Sequence, residues 1–201
     1  AIWDSQSRAV TARRQKRLNA LVLADAPARN IPADQIAAAL LEGIREVGLD
    51  CLPWSREATE YRQRAQCFHQ ATGSGLDLSD SALLESLDDW LLPYLAGMSR
   101  LAHLKARLDW SAQQEWDRQV PSHITVPSGS GIRIDYTDPA APVLPVKLQE
   151  MFGATETPAI INGTLALTIH LLSPAGRPLQ ITRDLPGFWQ NAYPQVKAEM
   201  K

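Results

Sequence analysis

The chain has 201 residues, of which 45% are hydrophobic, and a formal net charge of -2. That length supports a buried core without disulfide or metal staples, organised as one large domain or two small ones. No apolar run approaches the roughly 20 residues of a membrane span, and Ala1-Ile2-Trp3-Asp4 lacks the basic-then-apolar pattern of a signal peptide. The expectation is a cytoplasmic protein with no membrane partner. Cys51 and Cys67 have neither metal-ligand spacing nor the density of a disulfide scaffold, so both are expected to be buried as small hydrophobes.

Taken in chain order, Ile2 to Asp4, the polar turn Ser5-Gln6-Ser7 and the extended run Arg8 to Leu18 predict a twisted hairpin, followed by a strand around Ala20 to Leu23. A chain that enters strand-like sequence at once and without Met is expected to be a piece of a longer one. Pro32 suits the first turn of a helix whose apolar positions Ile36, Leu40, Leu41, Ile44 and Val47 run to Gly48. A second helix is predicted from the N-cap Ser55, through Ala58, Tyr61, Ala65 and Phe68, to the loop Thr72-Gly73-Ser74-Gly75. Leu83, Leu84, Leu87, Trp90, Leu91 and Tyr94 form an apolar stripe that Pro93 is expected to kink or divide. Leu101, Leu104 and Leu108 suggest another helix, and Ser111 with Gln114 has the form of a capping box for a last one.

Beyond Pro121 the period changes. Ile124 to Val126, Ile132-Ile134-Tyr136, Val143-Leu144 and Thr164 to Leu172 read as strands, with Asn162-Gly163 as a hairpin turn. A short helix is predicted over Lys147 to Phe152, closed by Gly153, and helix returns after Asp184 with an interruption at Pro194. The predicted fold is α+β: an antiparallel, oligonucleotide-binding-type sheet remnant over 1–30, a helical module over 31–120, and a mainly antiparallel β unit with a C-terminal helix over 121–201.

Little of this sequence carries catalytic chemistry. No G-x-x-x-x-G-K-[ST] string is present, so there is no cradle of amides and lysine for ATP phosphates, nor a D-E-x-H segment; the chain alone is expected to be inactive as an ATPase and to hold no cofactor. Ser128-Gly129-Ser130-Gly131 is expected to be a turn between strands. A hydrolase built from Ser128 or Ser130 with His123 and Asp135 or Asp138 would lack the strained nucleophile elbow such a serine needs. His69, His103, His123 and His170 are too scattered for a metal site.

Charge patterning says more. Arg8, Arg13, Arg14, Lys16 and Arg17 fall between Asp4 and Asp25 with no acid among them, whereas Arg64 to Arg100 encloses no Lys or Arg and gathers Asp77, Asp80, Glu85, Asp88 and Asp89. In an extended segment Arg14 and Lys16 project from one face and Arg13 and Arg17 from the other, so a cationic strand would attract phosphates without reading sequence. Charged protection of a solvated edge strand is the equally economical alternative. Arg133, Lys147, Arg177 and Arg183 are further candidate phosphate contacts.

Several strings resemble one family. They are Pro121-Ser122-His123-Ile124-Thr125-Val126-Pro127-Ser128-Gly129-Ser130, Val146-Lys147-Leu148-Gln149-Glu150-Met151-Phe152-Gly153, His170-Leu171-Leu172-Ser173-Pro174-Ala175-Gly176-Arg177-Pro178, and Asp184-Leu185-Pro186-Gly187-Phe188-Trp189. With Asp89-Trp90-Leu91-Leu92-Pro93-Tyr94-Leu95 upstream, they are similar to the C-terminal region of HrpB-type bacterial DEAH-box RNA helicases. The resemblance implies a parent protein with two RecA-like motor domains that use ATP and Mg²⁺, with RNA, or single-stranded nucleic acid generally, as partner. It implies an accessory role for this region and transfers no catalytic residue to it. The alternative is a protein-interaction or scaffolding module without nucleic-acid contact.

Overall fold

A computed structural model describes residues 1–7, 9–11, 13–18, 21–27, 31–95 and 110–199. The helix expected at Leu101, Leu104 and Leu108 lies outside them. The fold is α+β, and the chain forms two compact units, Ala1–Ser55 with Ser79–Leu104, and Arg56–Leu78 with Lys105–Lys201.

In the first unit β1 (Ile2–Asp4) pairs antiparallel with β2 (Ala9–Thr11), Trp3 standing opposite Val10. Asp4 closes the turn by accepting from the Ser7 hydroxyl at 2.6 Å and the Gln6 amide at 3.1 Å, bonds that hold its carboxyl below the usual range. A second hairpin follows, β3 (Arg13–Leu18) with β4 (Leu21–Pro27), carrying a bulge between Lys16 and Arg17. Helix α1 (Ala33–Val47) starts after Pro32, whose carbonyl takes the Gln35 and Ile36 amides, and stops at Gly48, where φ is 93°. Its buried side includes Ala39, Leu41 and Ile44. The next turn, Leu49–Cys51, buries Leu49 and leaves Cys51 outside, its thiol donating to the Gly48 carbonyl at 3.0 Å. The expectation of two buried cysteines is therefore corrected: only Cys67 is buried, where burial, with Asp138 nearby, pushes its thiol up to about 11.

Ser79 caps α3 (Asp80–Glu85) by accepting from the Ala82 amide. The apolar stripe is divided at Ser86 and not at Pro93. The Ser86 hydroxyl donates to the Ala82 carbonyl at 2.7 Å while α4 (Leu87–Leu95) starts afresh and runs through Pro93. A serine that bonds the preceding turn competes with the backbone ladder, and here it decides the boundary. Trp90 bridges the division, its indole N–H donating to the Leu83 carbonyl at 2.8 Å.

In the second unit α2 (Arg56–Thr72) meets α5 (Trp110–Gln119) through Arg64. Its guanidinium donates to the Val120 carbonyl at 2.6 Å and to Asp117 at 2.8 Å, and lies 4.2 Å from the centre of the Trp116 ring. Tyr61 packs on that ring at 4.7 Å, and burial, followed by Asp117, pushes its phenol up to about 12. The Tyr61 hydroxyl is buried and has no hydrogen-bond partner among the described residues. An unpaired buried hydroxyl costs more than its ring gains from it, so Tyr61→Phe should leave stability unchanged or raise it by about 1 kcal/mol, as read from denaturant midpoints.

The β part is a set of small sheets. β5 (His123–Thr125) and β6 (Gly131–Arg133) form a hairpin, and Asp135 bridges to Val143 at the start of β7 (Val143–Lys147). β8 (Ala159–Ile160) and β9 (Leu165–Ala166) flank the Asn162-Gly163 turn, where Ile161, Asn162 and Gly163 all have positive φ. The single strand expected over Thr164 to Leu172 splits at Leu167, which is fully buried; β10 (Thr168–Leu172) belongs to a different sheet. That sheet has the order β11-β10-β7, with β11 (Pro178–Thr182) antiparallel and β7 parallel to β10. The short helix expected after Lys147 is a 3-10 turn, Leu148–Met151. At the C-terminus a turn capped by Asp184 leads through a π turn, Phe188–Ala192, into α6 (Tyr193–Glu199). Helix continues across Pro194, and the segment changes there from the π turn Phe188–Ala192 to α6.

Candidate nucleic-acid interface

The four cations Arg13, Arg14, Lys16 and Arg17 are brought onto one strand, β3. Their backbone partners on β4 are Pro27, Ala26, Ala24 and Val22, and the only acid on that strand, Asp25, stands opposite Gln15. At about 3.3 Å per residue the four charges are strung along roughly 13 Å of backbone.

Of the four later candidates, Arg133 is set apart. It forms an ion pair with Glu60 of α2, so its charge is already engaged within the protein. Lys147, Arg177 and Arg183 instead converge on the β11-β10-β7 sheet. The register explains how: Lys147 is opposite Leu172, Pro145 opposite His170, and His170 opposite Ile181. Side chains alternate between faces along a strand, so Leu144, Val146, Ile169 and Leu171, all at most 1% exposed, fill the inner face. The outer face carries Pro145, Lys147, His170, Leu172 and Ile181, and Ile181 is 57% exposed. Arg183 follows β11, and its Nε donates to the Thr168 hydroxyl at 2.8 Å, which fixes it at the edge of that face. Arg177 lies in the β10–β11 turn, at the end where Lys147 stands; its amide donates to the Ser173 hydroxyl and its carbonyl accepts from the Ser173 amide. Lys147, Arg177 and Arg183 take part in no ion pair among the described residues. The carboxylate at the margin is Asp135, held below the usual range by the Thr137 hydroxyl and amide, with Arg133 and His170 adding to the effect.

His170 and Ile181 were not singled out from the sequence as site residues. The signal for His170 was present, because it alternates with buried Ile169 and Leu171 and so must face outward.

Catalytic arrangements are not assembled among the described residues. Ser128 and Ser130 hydrogen-bond to each other in the β5–β6 turn, and His123 is bonded to Ser122. No group of three His, Cys, Asp or Glu residues could hold a metal ion, and no helix is long and apolar enough to cross a membrane, again among the described residues. The Ser128–Gly131 turn offers no lysine to a nucleotide phosphate.

The architecture is an α+β region with small sheets, four cations on β3 and three more around the β11-β10-β7 sheet. Residues 90–201, just over half the chain, match the family described as ATP-dependent helicase C-terminal, HrpB_C, and the chain belongs to that family. It is similar to the ATP-dependent RNA helicase HrpB of Escherichia coli (strain K12), at 40% identity over 99% of this chain and 26% of that protein. Among solved structures it is similar to the E. coli DExH-box NTPase HrpB, with a TM-score of 0.80 and 38% identity over all of this chain and 26% of that one. A second structure, of the E. coli DEAH/RHA helicase HrpB, gives a TM-score of 0.76 and 37% identity over all of this chain and 27% of that one. The chain thus spans about a quarter of the length of the relatives it matches.

Proposed function

We propose that this C-terminal region assists an ATP-dependent RNA helicase by engaging RNA for a RecA-like motor that lies elsewhere in the protein and uses ATP and Mg²⁺. The observation that carries the proposal is the placement of Arg13, Arg14, Lys16 and Arg17 on the single strand β3. Phosphate contacts of this kind hold a strand in place and carry no base information. A cytoplasmic location belongs to the same proposal.

Charge reversal of all four residues should weaken RNA binding about a hundredfold across unrelated sequences, and should make the salt dependence of affinity shallower by about three log units per log unit of salt. In the full helicase the same variant should need more RNA to stimulate ATP hydrolysis, with turnover at saturation changed less. The measurement is RNA affinity against salt concentration, with circular dichroism to show a retained fold. Identical salt slopes would leave the second reading in front, a protein-interaction module, which the acid-rich stretch of Asp80, Glu85, Asp88 and Asp89 on α3 and α4 favours.

A further inference from the structure

We propose that the outer face of the β11-β10-β7 sheet is a second, distinct RNA-contact surface, a platform on which a base of single-stranded RNA stacks against His170. It rests on the RNA-engagement reading above and adds to it a surface separate from β3. Three observations carry it. The register sets Pro145, His170 and Ile181 in one row across the three strands, an imidazole at the centre with an apolar neighbour on each side. Cations stand on both sides of that row along the strands, Lys147 and Arg177 toward the Leu172 end and Arg183 toward the Thr168 end. The strand positions of this face, Val143, Pro145, Lys147, Thr168, His170, Leu172 and Ile181, carry three-strand pairing with no acid among them, and the one carboxylate beside them is Asp135, which bridges to Val143 at the margin and is engaged by Thr137.

These features fit single-stranded RNA better than a protein partner. Unstacked bases are bound by aromatic rings, histidine among them, on exposed sheets that carry two or three bases. Three strands spaced about 4.8 Å apart, each roughly 13 Å long here, give comparable room. A protein-docking face needs a contiguous apolar core, whereas Ile181 is the one large apolar side chain of this row and is flanked by charge. Duplex RNA would be excluded, because its bases are already stacked and its edges face a groove a flat sheet does not enter.

The test is anisotropy of fluorescein-labelled dodecauridylate with the full chain at two salt concentrations. His170→Ala should weaken binding five- to a hundredfold, the usual cost of losing one stacked base, and His170→Phe should retain wild-type affinity. Lys147→Glu with Arg183→Glu should weaken binding at least about tenfold and make the salt slope shallower by about 1.4, two single-strand phosphate contacts. All these residues lie on an open face, so the thermal midpoints should stay at the wild-type value. If the sheet variants bind like wild type while reversal of the β3 charges weakens binding, the platform is overturned and RNA engagement through β3 stands. His170→Phe binding as poorly as His170→Ala would overturn stacking. Failure of the wild type to bind dodecauridylate at low salt would overturn both proposals, and loss of contact with the motor domains at unchanged RNA affinity would mark the face as a protein interface instead.

Discussion

Replacing Trp90 with alanine will destabilise the first unit by about 3–5 kcal/mol, the cost of deleting a large buried ring. Trp90 is 2% exposed, and its ring stacks on Trp54 with centroids 5.8 Å apart. Its N–H also satisfies the Leu83 carbonyl across the division between α3 and α4. Trp54 is tied down in turn, its indole donating to the Leu49 carbonyl at 3.0 Å. One side chain therefore fills the core, supports a second tryptophan and satisfies backbone where two helices meet. Trp90→Phe separates these roles: it keeps most of the ring and loses the bond, which should cost about 1–3 kcal/mol for a buried carbonyl left unpaired. Denaturant unfolding followed by tryptophan emission measures both. A Trp90→Ala loss below that of Trp90→Phe would show that packing at this position matters less than the hydrogen bond.

The parts of this fold that were legible in the sequence are those governed by short-range rules. Helix α1 follows from a 3.6-residue apolar period with Pro32 before it and Gly48 after it, and the β8–β9 hairpin from Asn162-Gly163. What was not legible depends on partners distant in the chain. The parallel pairing of β7 with β10 could not be read from either strand alone, and β11 escaped notice because its Ile181 points to solvent and gives little inward apolar signal. Pro93 was expected to kink or divide the segment, yet the division falls at Ser86, whose hydroxyl bonds the preceding turn, and α4 runs on through the proline. The same logic separates the candidate cations. The β3 cluster is contiguous in sequence, whereas Lys147 and Arg183 meet on one face only through strand register, and Arg133 is withdrawn from the set by Glu60, far away in sequence.

Gly43→Ala should destabilise the first unit by about 2 kcal/mol even though alanine is the better helix former. In an exposed helix the exchange would stabilise by about 1 kcal/mol. Gly43 is buried in α1, however, and a Cβ there would overlap the indole ring of Trp3 on β1. Packed interiors answer such an insertion with side-chain and backbone shifts costing roughly 1–3 kcal/mol, and the ring must leave altogether to make room. Because β1 and β2 are joined as a hairpin, and β3 begins two residues after β2 ends, the displacement should reach the start of the cationic strand. Gly43→Ala should accordingly weaken RNA binding through β3 without touching a charge. The double variant Gly43→Ala with Trp3→Ala isolates the cause. If the ring is the obstacle, the pair will be markedly less destabilising than the sum of the single changes, a coupling that a thermodynamic cycle reads directly. Strict additivity would show that Gly43 acts through something other than its contact with Trp3.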